Sequence, residues 1–190
     1  MEFYLPDDKL QLSYELARSI EAVQVYNAAQ HRRGRVGMHG HLTVRRADGT
    51  VMLEAGNMMV YAGLADVVAK MLDGTALNTY KYVAFGTGTD ATANADTTLG
   101  NEVTGGTYAR LTATQSTGDN TREYRLAGTW TNNSGSTQVV TEYGIFNRAT
   151  WNAGTLLARV STGDTSPPNS KTVEDSETLT ITWDIQLQDA

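Results

Sequence analysis

Thr178-Leu179-Thr180-Ile181-Thr182-Trp183-Asp184-Ile185-Gln186-Leu187-Gln188 carries a large apolar side chain at every odd position and a polar one at every even position. A period of two is that of a β-strand with one face in a core and the other in water. Burying a large apolar side chain is worth roughly 1.5–3 kcal/mol, so Leu179, Ile181, Trp183, Ile185 and Leu187 make this strand a main stabilising element. Working back from it, the C-terminal half reads as strands punctuated by turns. Residues 107–115 and 122–131 are joined across Thr117-Gly118-Asp119-Asn120. Asn132-Asn133-Ser134-Gly135 leads into a strand over 137–147, and Asn152-Ala153-Gly154 into one over 155–161. Near the N-terminal end, 41–47 and 50–54 flank Asp48-Gly49, which predicts a hairpin with a type I′ turn. Strands spaced this regularly by turns predict a mainly β protein, an antiparallel β-sandwich.

Between the two groups of strands lies the one short helical segment. In Gly63-Leu64-Ala65-Asp66-Val67-Val68-Ala69-Lys70-Met71-Leu72, the residues Leu64, Val67, Val68, Met71 and Leu72 recur at helical spacing. Asp73-Gly74 ends it, since Gly accepts the left-handed conformation of a C-cap. About ten residues make a helix of only ~15 Å, marginal alone in water. That stripe is therefore expected to lie on the sheet. The flanking runs Met58-Met59-Val60-Tyr61 and Tyr80-Lys81-Tyr82-Val83-Ala84-Phe85 read as strands, the second breaking at Gly86-Thr87-Gly88-Thr89.

Residues 7–30 predict a further helix, capped by Asp7 or Asp8, with Leu12, Leu16, Ile20 and Val23 at spacings of three or four. It is either a core helix or an arm that packs on a neighbouring subunit. The chain therefore divides into a helical and basic anchoring arm over 1–36 and a β-sandwich domain over 37–190. Net charge is −6, yet no acid occurs between Glu21 and Asp48. That gap holds Arg32, Arg33, Arg35, Arg45 and Arg46 with all three histidines, His31, His39 and His41. A basic segment on an acidic body points to docking on something negative; the plainer reading is a solvated loop and strand end. No apolar run approaches the ~20 residues of a membrane helix, the acidic start, where a signal peptide would be basic, predicts no export signal, and there is no cysteine for disulfides or thiolate metal sites.

Catalytic chemistry needs convergent groups that exchange protons, attack or bind a metal, and no such motif is present. Gly86-Thr87-Gly88-Thr89 superficially matches a phosphate cradle, but lacks a following Lys-Ser/Thr and a helix start. His39 and His41 share a strand face without a third ligand. Asp90, Asp96 and Glu102 lack the spacing of a Ca²⁺ loop. Glu123, Glu142 and Asp184 would form a glycosidase-like pair only if strands brought them together. The basic segment lacks the interleaved aromatics of a nucleic-acid surface. No enzyme, cofactor or metal site is expected, nor a membrane or nucleic-acid partner.

Several pieces together resemble a module of tailed-bacteriophage virion proteins. They are Asn57-Met58-Met59-Val60-Tyr61-Ala62-Gly63-Leu64, Tyr82-Val83-Ala84-Phe85-Gly86-Thr87-Gly88-Thr89 and Asp96-Thr97-Thr98-Leu99-Gly100-Asn101-Glu102. Downstream come Glu142-Tyr143-Gly144-Ile145-Phe146, Thr155-Leu156-Leu157-Ala158-Arg159 and Leu179-Thr180-Ile181-Thr182-Trp183. The resemblance covers about residues 41–188 and leaves 1–36 unmatched. It implies a non-enzymatic particle component, assembled in the bacterial cytoplasm and located in the virion. Such modules occur on capsid surfaces and on tail and fibre proteins. The short chain, without a fibre shaft, and its basic arm favour a capsid decoration (cement) protein that contacts the major capsid protein. A homo-oligomer is expected, a trimer suiting threefold positions. The contact residues would be Arg32, Arg33, Arg35, Arg45 and Arg46 with Leu12, Leu16 and Ile20. The alternative is a tail, tail-fibre or baseplate component that binds host-surface carbohydrate, with the Gly-Thr-Gly-Thr loop and Trp130 or Trp151 as sugar platforms. Of the two, Trp130 fits the core better and Trp151, in a turn, fits exposure.

Overall fold

The alternating segment at the C-terminal end forms the central strand of a five-stranded sheet. The computed structural model describes residues 36–119, 122–162 and 171–189. The helix expected over 7–30, with Leu12, Leu16 and Ile20, and the arginines Arg32, Arg33 and Arg35 lie outside them. In chain order the strands are β1 (Val36–Arg46), β2 (Val51–Gly56) and β3 (Met58–Met59), then helix α1 (Tyr61–Asp73) and a single 3₁₀ turn, Leu77–Thr79. There follow β4 (Tyr82–Gly86), β5 (Leu111–Thr112), β6 (Thr114–Thr117) and β7 (Glu123–Thr131). The last are β8 (Gln138–Val140), β9 (Glu142–Phe146), β10 (Leu156–Ser161), β11 (Lys171–Val173) and β12 (Thr178–Asp189).

One sheet runs β2-β1-β12-β7-β6, the other β3-β10-β9-β4-β5, and β11-β8 forms a two-stranded ribbon. The mainly β, antiparallel sandwich read from the sequence is the fold. Its shared core takes Leu42 and Val44 from β1, Leu126 and Trp130 from β7, and Leu179, Ile181, Trp183 and Ile185 from β12. Val83, Phe85, Tyr143, Ile145 and Val160 face them from the second sheet. Trp130 stacks on Phe85 with ring centroids 3.9 Å apart. Trp183, fully buried, donates its indole N–H to Asn57 Oδ1 at 3.0 Å. Leu187 breaks the expected pattern: it is 45% exposed and lies one residue past the last pair with β7, Gln186 opposite Glu123, its amide still bonding the Arg122 carbonyl at 3.0 Å.

Other local readings need correction. At Asp48-Gly49 only Gly49 has positive φ (+87°), so the turn is not type I′. The Gly49 amide bonds back to the Arg46 carbonyl, Asp48 Oδ1 accepts from the Thr50 amide, and the ladder slips between Val44 and Arg45. The strand expected over 137–147 divides at Thr141, whose amide and hydroxyl turn aside to the carbonyls of Gly86 and Gly88. β8 then belongs to the ribbon and β9 to the second sheet. Within 107–115 only β5 and the start of β6 are extended.

The largest correction concerns α1. Of the stripe expected to lie on the sheet, Val67 is buried and Leu64 partly so, while Val68, Met71 and Leu72 are 55%, 70% and 82% exposed. The reason is Gly63: a Cβ there would lie 2.5 Å from Leu157 Cα, so the helix sits backbone to backbone on β10. At 100° per residue this rolls the helix by roughly a quarter turn from the expected seat. Gly74 closes it in the left-handed conformation, as read from the sequence.

Trp183→Ala removes the largest buried side chain together with its hydrogen bond to Asn57. It should cost roughly 3–5 kcal/mol or prevent folding. A soluble variant with an unchanged denaturation midpoint would refute the placement of this strand in the core.

Candidate functional site

The second sheet is covered on both faces. β9 and β10 are buried at every position, as are four of the five residues of β4. On the outer face the register sets Gly86 opposite Glu142, Ala84 opposite Gly144, and Gly144 opposite Arg159. Loop 87–103 lies over this face. An otherwise apolar surface thus carries one carboxylate, Glu142, fully buried, and one guanidinium, Arg159, nearly so.

Burial of a charge is tolerated only when its hydrogen-bonding capacity is filled. Here it is. Glu142 Oε1 accepts from the amides of Gly88 (2.9 Å) and Asn101 (2.7 Å). Oε2 accepts from the Gly100 amide (2.9 Å) and from Arg159 Nε and Nη2 at 3.0 and 2.7 Å. Arg159 continues to Asp96 Oδ2 at 2.7 Å and to the Asp90 carbonyl at 3.2 Å. Burial works against the Arg159 charge, but Asp96 and Glu142 outweigh it and hold the guanidinium pKa above its ordinary value. A Cβ on Gly88 would lie 2.5 Å from Glu142 Oε1, and one on Gly86 would also collide with this carboxylate. The glycines of Gly86-Thr87-Gly88-Thr89 are therefore needed for close approach. The loop does present amides to an anion, but the anion is the chain's own Glu142.

A second pair lies nearby. Arg110, its side chain wholly buried, binds Glu102 bidentately, Nε to Oε1 and Nη2 to Oε2, both at 2.8 Å. Its Nη1 donates to the carbonyls of Arg148 and Ala153, each at 2.8 Å, and the guanidinium lies 3.8 Å from the Phe146 ring centroid. Arg110 thereby anchors the β9–β10 loop. Between that loop and residues 98–104 opens a cavity of ≈ 350 Å³, with Trp151 at its edge.

The residues singled out in the sequence do not converge. Asp96 and Glu102 belong to separate ion pairs, so they form no Ca²⁺ cage with Asp90. Glu142 lies in the second sheet, apart from Glu123 and Asp184, which the first sheet brings together but spends on the guanidinium of Arg125 between them. His39 and His41 are exposed, and no group of three potential metal ligands occurs among the described residues. Arg45 is exposed and lies 3.9 Å from Glu54; Arg46 pairs with Glu177 and donates to the Thr172 carbonyl. Trp130 is core and Trp151 is 52% exposed. No helix among the described residues is long and apolar enough to cross a membrane. No family model, curated protein or solved structure matches the chain.

Sequence reading missed both buried pairs. The available signal was a lone charge in each of two otherwise apolar strands, Glu142 in Glu142-Tyr143-Gly144-Ile145-Phe146 and Arg159 in Leu156-Leu157-Ala158-Arg159-Val160. Glu142→Ala leaves three amides and a buried guanidinium short of an acceptor. It should cost about 3–5 kcal/mol in denaturant unfolding and speed hydrogen exchange at Gly88, Gly100 and Asn101. Unchanged stability with unchanged protection would show that the loop is held by other means.

Proposed function

We propose that this chain is a non-enzymatic structural component of a tailed-phage particle, acting as a capsid decoration protein through protein–protein contact. The resemblance of residues 41–188 to virion modules supports the class. The observation that carries the mode of action is the outward face of α1. Tyr61, Ala65, Val68, Ala69 and Leu72 follow a helical row, and all are exposed. Asp66 and Lys70 of the same helix point the other way, and only the terminal Asp73 adds a charge to the exposed side. Asp66 accepts from the Tyr80 hydroxyl at 2.6 Å and pairs with Lys70 at 3.7 Å, both half-buried. A solvated helix has the opposite arrangement, with its polar face outward. An apolar row of this kind fits an interface that a neighbouring shell protein covers.

The buried charges fit the same reading. Glu142, Arg159, Glu102 and Arg110 are taken up in holding loops, which leaves a rigid body suited to repeated contact rather than turnover. The basic segment complements the acidic surface expected of a shell, with the major capsid protein as the favoured neighbour. A tail or baseplate location remains the second reading, favoured by the exposed Trp151.

Copy number per particle separates the two placements: hundreds for the shell, a dozen or fewer for the tail. Val68→Glu with Leu72→Glu should keep the melting temperature and lower particle occupancy at least tenfold; full occupancy would overturn contact through α1. Replacing Arg32, Arg33 and Arg35 by Ser should weaken attachment and flatten its salt dependence. An unchanged salt profile would count against docking by the arm.

A further inference from the structure

From the cavity beside Trp151 we infer a binding site for a neutral saccharide. Three features of this place are independent of the α1 face and of where the protein sits on a particle.

The first is the aromatic edge. Of the three tryptophans, Trp130 and Trp183 are buried in the core and Trp151 is half exposed on the β9–β10 loop. An indole offers a large, rigid, flat surface with little rotamer entropy to lose, which suits the C–H face of a pyranose ring. The second is that the edge is held in place. The Arg110 guanidinium binds two carbonyls of this loop from below, and the Asn147 side chain accepts from the Thr155 amide at 2.8 Å. Asn152 is fixed at φ +52°, a left-handed conformation that Asn accepts better than most residues. Little ordering cost is left for a ligand to meet.

The third feature is the chemistry of the lining. The charges at the floor are spent on each other, since Glu102 and Arg110 form a closed bidentate pair and the Arg110 side chain has no exposure. The site therefore has no free charge to recruit an anion or a cation. What it offers outward is neutral: the Thr98 and Thr104 hydroxyls and the Asn152 side-chain amide, all on exposed residues, make no hydrogen bond among the described residues, while the Asn152 backbone amide donates to Glu102 Oε2 at 3.4 Å. At ≈ 350 Å³ the cavity falls at the lower end of the ~300–1,000 Å³ range of small-molecule sites, yet its lining is more polar than theirs usually is. A flat aromatic beside neutral donors and acceptors, over a charge-compensated floor, matches a polyhydroxylated ring that carries no charge.

The test uses the full chain and a panel of neutral oligosaccharides of glucose, galactose and N-acetylhexosamines. Trp151 is the exposed tryptophan, so fluorescence and its quenching by acrylamide report on this place. The expected result is saturable binding of at least one neutral oligosaccharide at millimolar or lower concentration, with Trp151 shielded from acrylamide. Trp151→Ala should then reduce affinity tenfold or more at an unchanged melting temperature. Asn152→Gly keeps the backbone conformation and removes the amide, and should weaken binding about fivefold, the equivalent of one hydrogen bond. Absence of binding across the panel would overturn the proposal, as would binding that survives Trp151→Ala. Tighter binding of uronic or sialic acid counterparts would overturn its neutral character. Loss of self-association or particle attachment in Trp151→Ala, without saccharide binding by the parent, would make the edge a protein contact instead.

Discussion

The buried ion pair between Glu142 and Arg159 is the constraint on which the upper layer of this molecule depends. Two charges in a dry interior do not by themselves stabilise a fold, because desolvation offsets most of their attraction. Their effect here is to fix one arrangement. Glu142 accepts from three backbone amides at both ends of loop 87–103, while Arg159 reaches Asp96 and the Asp90 carbonyl in its middle. The same loop meets the start of α1, where the Tyr61 amide donates to the Asn94 carbonyl. One carboxylate thus sets the position of a long irregular segment that has little apolar surface of its own. An apolar residue at 142 would fill the space but leave those amides without acceptors.

This pairing gives a physical meaning to the motifs scattered along the chain. Their polar residues find one another: Asn57 with Trp183, Asp96 and Glu142 with Arg159, and Glu142 with the amides of Gly88, Gly100 and Asn101. Glu102 closes on Arg110. Residues more than a hundred positions apart in sequence are thereby joined into one scaffold. The motifs are rules for building the sandwich and its covering loop, and they identify a fold more directly than an activity. A fold can host unrelated functions, so the functional argument has to come from what is left outside the scaffold.

Much of the architecture was legible because a strand with one wet face writes its orientation into the sequence. The alternation over 178–188 placed Leu179, Ile181, Trp183 and Ile185 in the core correctly, and failed at Leu187, where the neighbouring strand stops. The helix was legible as an element but not in its rotation. Hydrophobic spacing identifies an apolar side, and α1 has enough apolar residues to present one side inward and another outward. Its seat was decided by the missing side chain of Gly63, a criterion that a hydrophobic stripe does not contain. The division of 137–147 was hidden for a related reason: Thr141 leaves the ladder to bond carbonyls about 55 residues earlier in the chain. Of the two buried pairs the sequence carried a signal only for Glu142–Arg159, since a single charge in an apolar strand demands a partner, but the partner's identity depends on cross-strand register.

The two features left outside the scaffold differ in physical character. The outer row of α1 is apolar and continuous apart from the Tyr61 hydroxyl, which accepts from Asn94 Nδ2 at 3.2 Å, so it would select a partner mainly by shape and area. The Trp151 edge combines one aromatic plane with neutral hydrogen-bonding groups, so it would select by the position of individual hydroxyls or amides. A surface of the first kind favours large, long-lived contact, and one of the second favours weak and specific recognition. The ion pairs separate them: Glu142–Arg159 fixes the loop that meets the start of α1, and Glu102–Arg110 fixes the loop that carries Trp151. Each of the two features is therefore held by its own ion pair.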